Sequence, residues 1–216
     1  MAKKYQTIET KIHWLTWTIM GVIAALLIGL VIIVQPSAKE TFYNSYKNVT
    51  TEVNFDKKLP KDNNFVLLEG LEDGFLGINK GLFSLGARDN HVTIVFFGSP
   101  SDAASATQIA NVYARLYGSD SMDPAIATSD LKNELGDNVT LYYLEQKVAK
   151  FSDTVDQLNA RYEDADIVAN ALPMVLVLFN NQVVDYAVLT EANVPLQLLN
   201  FYNGVLESDA IQDFLN

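Results

Sequence analysis

The 216-residue sequence contains no cysteine. No disulfide can therefore cross-link the fold, no thiol can act as a nucleophile, and lipoprotein anchoring through a cysteine is excluded. A folded domain in this chain must be stabilised by a hydrophobic core, and a segment of about 145 residues is long enough to build one. Cysteine-free chains are common among Gram-positive surface proteins, and we favour such an origin.

Basic charge is scarce. The chain holds 15 Lys and Arg residues against 26 Asp and Glu residues, for a net charge of -11. Nucleic-acid binding needs clustered cations, so we expect no nucleic-acid partner. The same deficit disfavours docking of a flat surface on anionic lipid.

Histidine is nearly absent. His13 and His91 are far apart in the sequence, and no acidic residue is spaced to complete a metal site with either. With one histidine beyond the apolar N-terminal run, a Ser-His-Asp arrangement is not credible. We therefore expect a protein that is not an enzyme, with no catalytic residues, no metal and no cofactor.

Charge is missing altogether from residues 12–38, and Trp14–Val34 is an almost unbroken apolar run. About 20 helical residues span a bilayer core, so we predict a transmembrane helix over residues 14–35. A cleaved signal peptide is the alternative, but its apolar core would be about 7–15 residues long and would precede a small-x-small site. Pro36-Ser37-Ala38 is a poor site of that kind, and we favour the uncleaved anchor.

The lysines give an orientation. Lys3, Lys4 and Lys11 precede the run, and positive charge favours the cytoplasmic side. We expect a single-pass protein of the cell membrane, with residues 1–13 as a cytoplasmic tail and the C-terminal domain extracytoplasmic. Gly21, Ala25 and Gly29 repeat every four residues, a spacing that lets two membrane helices approach and form a homo-oligomer. Small residues are common in membrane helices, so chance is the alternative.

After the run, residues 36–63 are polar and are predicted to form a stalk, and residues 64–216 are predicted to form a packed domain with an insert at about 119–138. Apolar spacing predicts the elements of this domain. Strands are predicted at 65–68, 92–97, 139–144, 174–179 and 183–189, and helices at 71–85, 99–117, 123–135, 152–170, 193–202 and 208–215. Ser99 is expected to cap its helix, and Asn180-Asn181 to form a hairpin turn.

Two motifs in this order resemble the thioredoxin-like superfamily. The strand Ile94-Val95-Phe96-Phe97 leads into Gly98-Ser99-Pro100-Ser101 and a helix, and Leu172-Pro173 precedes the strand Met174–Phe179 and an Asn-Asn turn. The resemblance covers roughly residues 64–216. It implies an α/β fold, with a central mixed sheet flanked by helices, and a cis peptide bond at Leu172-Pro173.

The departure from that family is informative. The resemblance places Ser101 and Ala104 at the positions of the family's two redox cysteines, so the family's oxidoreductase activity should be absent. The shape of the site could remain as a peptide-docking groove formed by Ser99, Pro100, Ser101, Leu172 and Pro173. The alternative is that the serines only cap a helix and that Pro173 is scaffold.

Together these features favour a non-enzymatic, membrane-tethered interaction module. It would serve as an accessory subunit of a cell-envelope assembly for secretion, conjugation or surface processing, with other envelope proteins as partners. The alternative function is an extracytoplasmic holdase for exported polypeptides.

Overall fold

The computed structural model describes residues 13–47, 59–118, 127–190 and 192–216, without the side chains of residues 30–34. Residues 1–12 of the predicted tail, the middle of the predicted stalk and the first part of the predicted insert therefore lie outside the described residues. The chain divides into two compact units, residues 1–37 and residues 38–216.

The first unit contains helix α1, which begins at Trp14 and ends at Val34. Its large apolar side chains are exposed over the part whose side chains are described, residues 14–29. Where side chains are described, no helix combines the length and the apolar character needed to cross a membrane. The predicted span stays a prediction.

The second unit is an α/β domain around a five-stranded mixed sheet with the strand order β1-β3-β2-β4-β5. Strands β1, β3 and β2 are parallel, whereas β4 and β5 run antiparallel to their neighbours. The strands are β1 (Val66–Leu68), β2 (Val92–Gly98), β3 (Val139–Glu145), β4 (Met174–Phe179) and β5 (Gln182–Val188).

The two central strands are buried on both faces. Every residue of β2 and β4 is buried, which explains their continuous β-branched and aromatic sequences. Alternate residues point to opposite faces: Phe96 packs into one core layer and Phe97 into the other. The turn between β4 and β5 places Asn180 and Asn181 at φ 49° and 63°, in the left-handed region that asparagine tolerates. The predicted strands and this turn are confirmed to within a residue or two.

Helices cover both faces of the sheet. Helices α2, α4, α5, α7 and α8 contribute to one core layer, and α3 and α6 to the other. Their bounds are α2 (Ala38–Tyr46), α3 (Leu82–Gly86), α4 (Ala103–Tyr117), α5 (Leu131–Leu135), α6 (Phe151–Arg161), α7 (Val194–Glu207) and α8 (Asp209–Leu215). The predicted order of strands and helices is confirmed.

Three predicted helices differ from the observed ones. Of the helix predicted over residues 123–135, residues 127–130 are not helical, and α5 begins at Leu131. The helix predicted over residues 71–85 is wrong: a 3₁₀ turn at Phe75–Gly77 and the short α3 replace it, because Leu76 and Gly77 take positive φ values. The helix predicted over 152–170 ends at Arg161. Beyond it, the Asn159 amide bonds the backbone of Ile167 at 2.8 and 2.9 Å, which folds the chain back.

Helix α2 packs against the sheet, although it lies in the segment that the sequence predicted to be a stalk. Phe42 and Tyr46, one turn apart, are 6% and 5% exposed, and their rings lie 4.7 and 5.8 Å from the ring of Tyr143. The core of this unit therefore begins within the segment that the sequence assigns to a stalk.

Candidate functional site

The loop after β2 holds three of the predicted site residues. The Ser99 and Ser101 hydroxyl oxygens lie 2.8 Å apart, and the N–H of Asp102 donates to the Ser99 carbonyl at 3.1 Å. Ser99 is 3% exposed, Pro100 is half-buried and Ser101 is exposed. Only Pro100 and Ser101 of these three therefore offer a side chain to a partner.

The helix after this loop is capped by Asp102, and not by Ser99 as the sequence predicted. The Asp102 carboxylate accepts from the N–H of Ser105 at 2.7 Å and from its hydroxyl at 2.6 Å. Helix α4 consequently begins at Ala103, and the prediction of Ser99 as its N-cap is wrong. Ser99 and Pro100 lie in the turn that precedes the cap.

Leu172 and Pro173 lie at the start of β4, beside the end of β2. The register pairs Phe97 with Met174, which brings the two predicted motifs to the same edge of the sheet. The Leu172-Pro173 bond is cis, as predicted. Both side chains are buried, and the Pro173 carbonyl accepts from the N–H of Leu189 at 2.9 Å. Their side chains are therefore not part of an accessible surface.

An open pocket of about 360 Å³ has Pro100, a residue of this loop, in its lining. Helix α2 and strand β1 supply most of the other lining residues. Its lining is mostly apolar and consists of Ala38, Thr41, Phe42, Ser45, Leu67, Leu68, Pro100, Tyr143 and Glu145. We call it the α2–β1 pocket. It contains Pro100, one of the predicted site residues, and its lining can accept an apolar side chain.

Two buried tyrosines connect the wall of the pocket to the loop. The Tyr143 hydroxyl donates to the Gly98 carbonyl at 3.3 Å, and the Tyr46 hydroxyl lies 2.8 Å from that of Tyr143. Since Tyr143 has a single proton to donate, Tyr46 donates to Tyr143. Burial raises the pKa of both phenols above their ordinary range, so both stay neutral and keep these bonds.

The described residues offer no metal centre. No group of three or more histidine, aspartate or glutamate side chains comes together in the parts of the chain that the structure describes. The Nε2 atom of His91 lies 2.9 Å from the Thr140 hydroxyl. Burial, with the Arg88 and Lys132 cations nearby, lowers the pKa of His91. This histidine is a neutral, hydrogen-bonded residue at the start of β2.

The predicted helix-packing residues lie on α1. Gly21 and Ala25 are exposed and Gly29 is half-buried. A side chain added at Gly21 or Gly29 would meet nothing within 4 Å. The surface is open to a second helix, and its role in pairing remains a prediction.

Sequence reasoning missed the residues that build the pocket. Phe42 and Tyr46 are spaced i and i+4, which places two aromatic rings on one face of a helix. That spacing was a signal that α2 packs against a surface. The strand that contains Leu67 and Leu68 was predicted from sequence, but so short a strand gives no pattern that shows which of its side chains line a pocket.

A comparison with known protein families and with curated proteins found no family and no protein that matches this chain.

Proposed function

We propose that this chain is a non-enzymatic, thioredoxin-like interaction module that residues 14–34 hold in the cell membrane, and that it is an accessory subunit of a cell-envelope assembly. The observation that carries the proposal is the α2–β1 pocket, which lies beside the loop where the resemblance places the family's active site.

The chemistry of the loop supports a binding role. Ser99 and Ser101 bond to one another, and no cysteine is present to cycle between thiol and disulfide. The partner would place an apolar side chain between Phe42, Leu67 and Pro100, with Glu145 at the rim available to a cation. A partner side chain of medium size fits a pocket of this volume.

The order of strands and helices, with a mixed sheet covered on both faces, supports the thioredoxin-like assignment. The membrane attachment is supported by the apolar sequence of Trp14–Val34, by its helical conformation, and by the exposure of its described apolar side chains. The basic residues on its N-terminal side support an extracytoplasmic domain.

Site-specific photo-crosslinking in intact cells tests the proposal. A benzoylphenylalanine at Thr41, an exposed residue of the pocket, should form an adduct of defined mass with an envelope protein. The same probe at Asn133, an exposed residue of α5 outside the pocket, is the matched control. Ser45→Trp, which fills the pocket, should remove the Thr41 adduct and leave the amount of protein unchanged.

Two results would contradict the proposal. Equal adducts from Thr41 and Asn133 would indicate random collisions. An adduct that persists in the Ser45→Trp variant would show that the partner binds elsewhere.

A further inference from the structure

The loop between β1 and α3 exposes three large apolar side chains. Phe75, Leu76 and Ile78 are 86%, 80% and 77% exposed. In the rest of the described residues of the domain, exposed large apolar side chains occur singly, at Val66, Val148, Val168, Leu196 and Leu215. Scattered apolar residues are normal on a protein surface, whereas three within four residues mark a contact.

The loop is a closed and ordered structure. The Asp73 carboxylate binds the Lys80 ammonium and the N–H of Gly81, each at 2.9 Å. A side chain at Gly81 would lie 2.2 Å from the Glu72 backbone, so only glycine permits this close approach of the two arms. These contacts hold together the two arms of the loop that carries the three apolar side chains.

The backbone of the loop satisfies several of its own polar groups. The N–H of Gly74 donates to the Asn79 carbonyl at 2.8 Å, and that of Gly77 donates to the Gly74 carbonyl at 2.9 Å. Such internal bonding lowers the cost of moving a loop into an apolar phase, where no water is available to replace a lost partner.

The connection to α1 favours a lipid surface as the occupant. Only residues 35–37 separate α1 from Ala38, the first residue of the domain. An extended connection of this length reaches about 14 Å, so a membrane-embedded α1 would keep Ala38 close to the bilayer. Ala38 lines the same pocket as Leu67 and Leu68, and the loop begins directly after Leu68. The attachment point and the base of the loop are thus at the same end of β1.

We infer that Phe75, Leu76 and Ile78 insert into the interfacial layer of the membrane that holds α1, giving the domain a second point of attachment. The inference rests on the proposed membrane tether. The domain's acidic charge does not oppose it, because the contact uses three exposed apolar side chains and needs no anionic lipid.

The absence of cysteine allows a direct test with the full chain in phosphatidylcholine vesicles. Phe75→Cys carries a single environment-sensitive fluorophore, and Val168→Cys, 75% exposed, is the matched control. We expect a blue-shifted emission at position 75 that a quencher attached to lipid headgroups reduces, and neither effect at position 168. Adding Leu76→Ser and Ile78→Ser should return the emission of the probe at 75 to that of the control.

Flotation of the vesicles after an alkaline wash separates the two proposals. If the chain floats and both probes behave alike, the loop inference is overturned and the tether stands. If the chain floats but the shift at 75 resists the lipid quencher and falls on dilution with excess lipid, a second copy covers the loop and the inference is also overturned. If the chain does not float, the tether fails and the inference fails with it.

Discussion

Tyr143 is the residue at which helix α2, the sheet and the loop after β2 meet. Its ring contacts Phe42, and its hydroxyl connects Tyr46 to the Gly98 carbonyl. Because the Gly98 carbonyl also accepts from the N–H of Gln146 at 2.8 Å, it keeps a partner when Tyr143 loses its hydroxyl. In the part of the chain that the structure describes, the Tyr46 hydroxyl bonds to Tyr143 and to no second partner.

We therefore expect Tyr143→Phe to destabilise the protein more than Tyr46→Phe. The first change leaves a buried hydroxyl without its acceptor, which costs about 1–3 kcal/mol, whereas the second removes one hydrogen bond worth about 0.5–1.5 kcal/mol. Urea unfolding of the full chain in detergent, followed by circular dichroism, measures both. The double variant is the control and should be no less stable than Tyr143→Phe. Equal losses in the two single variants would contradict this account.

At the scale of single elements, the start of α4 shows what determines the first residue of a helix. Ser99 and Asp102 are both good capping types, but the carboxylate of Asp102 is the group that reaches the N–H of Ser105. Ser99 instead bonds to Ser101 within the preceding turn. The turn thus sets the position of Pro100 at the pocket, and the cap sets the direction of the helix.

We expect Asp102→Ala to lower the free energy of unfolding by about 0.5–2 kcal/mol, through loss of the cap. Asp102→Asn, which retains an oxygen acceptor, should stay close to the unchanged protein. Thermal unfolding of the two variants and the unchanged protein provides the measurement. An Asn variant as unstable as the Ala variant would show that the charge, and not the cap, stabilises this helix.

The same elements show what the sequence could predict. Strands β2 and β4 were found from sequence because burial on both faces requires a continuous apolar run, and Asn180-Asn181 because few residues accept two positive φ values. The 3₁₀ turn at Phe75–Gly77 was hidden because its apolar residues also match helical spacing. Of the five predicted site residues, Pro100 lines the pocket. The rest of the lining brings together residues that are distant in sequence, and such contacts leave no local pattern to read.

At the scale of the whole molecule, the folded domain begins at α2, because side chains of this helix belong to its hydrophobic core. Phe42, Tyr46 and Leu59 belong to the same core layer as Phe65 and Tyr143. The boundary predicted from sequence, at residue 64, would remove the first three of these side chains and expose the last two.

A chain that starts at Ala38 should therefore be much more stable than one that starts at Asn64. Within the full chain, Phe42→Ala should lower the free energy of unfolding by about 3–5 kcal/mol, the usual cost of removing a buried phenylalanine. Tyr43→Ala, at a half-buried position of the same helix, is the matched control and should cost less. Protease resistance and urea midpoints report the order of stability. If the two truncated chains were equally stable, α2 would contribute nothing to the core.

The packing of α2 also has a mechanical consequence. A force applied between α1 and the domain enters at Ala38 and runs along α2 before it reaches the sheet. The first contacts under load are those of Phe42 and Tyr46 with Tyr143. No disulfide bond limits further extension of the chain once these contacts break. Helix α2 would detach while the sheet is still intact, which would lengthen the connection to the proposed membrane anchor and open one wall of the pocket. In the proposed tethered protein, tension on α1 and occupancy of the α2–β1 pocket would thereby be coupled through one nine-residue helix.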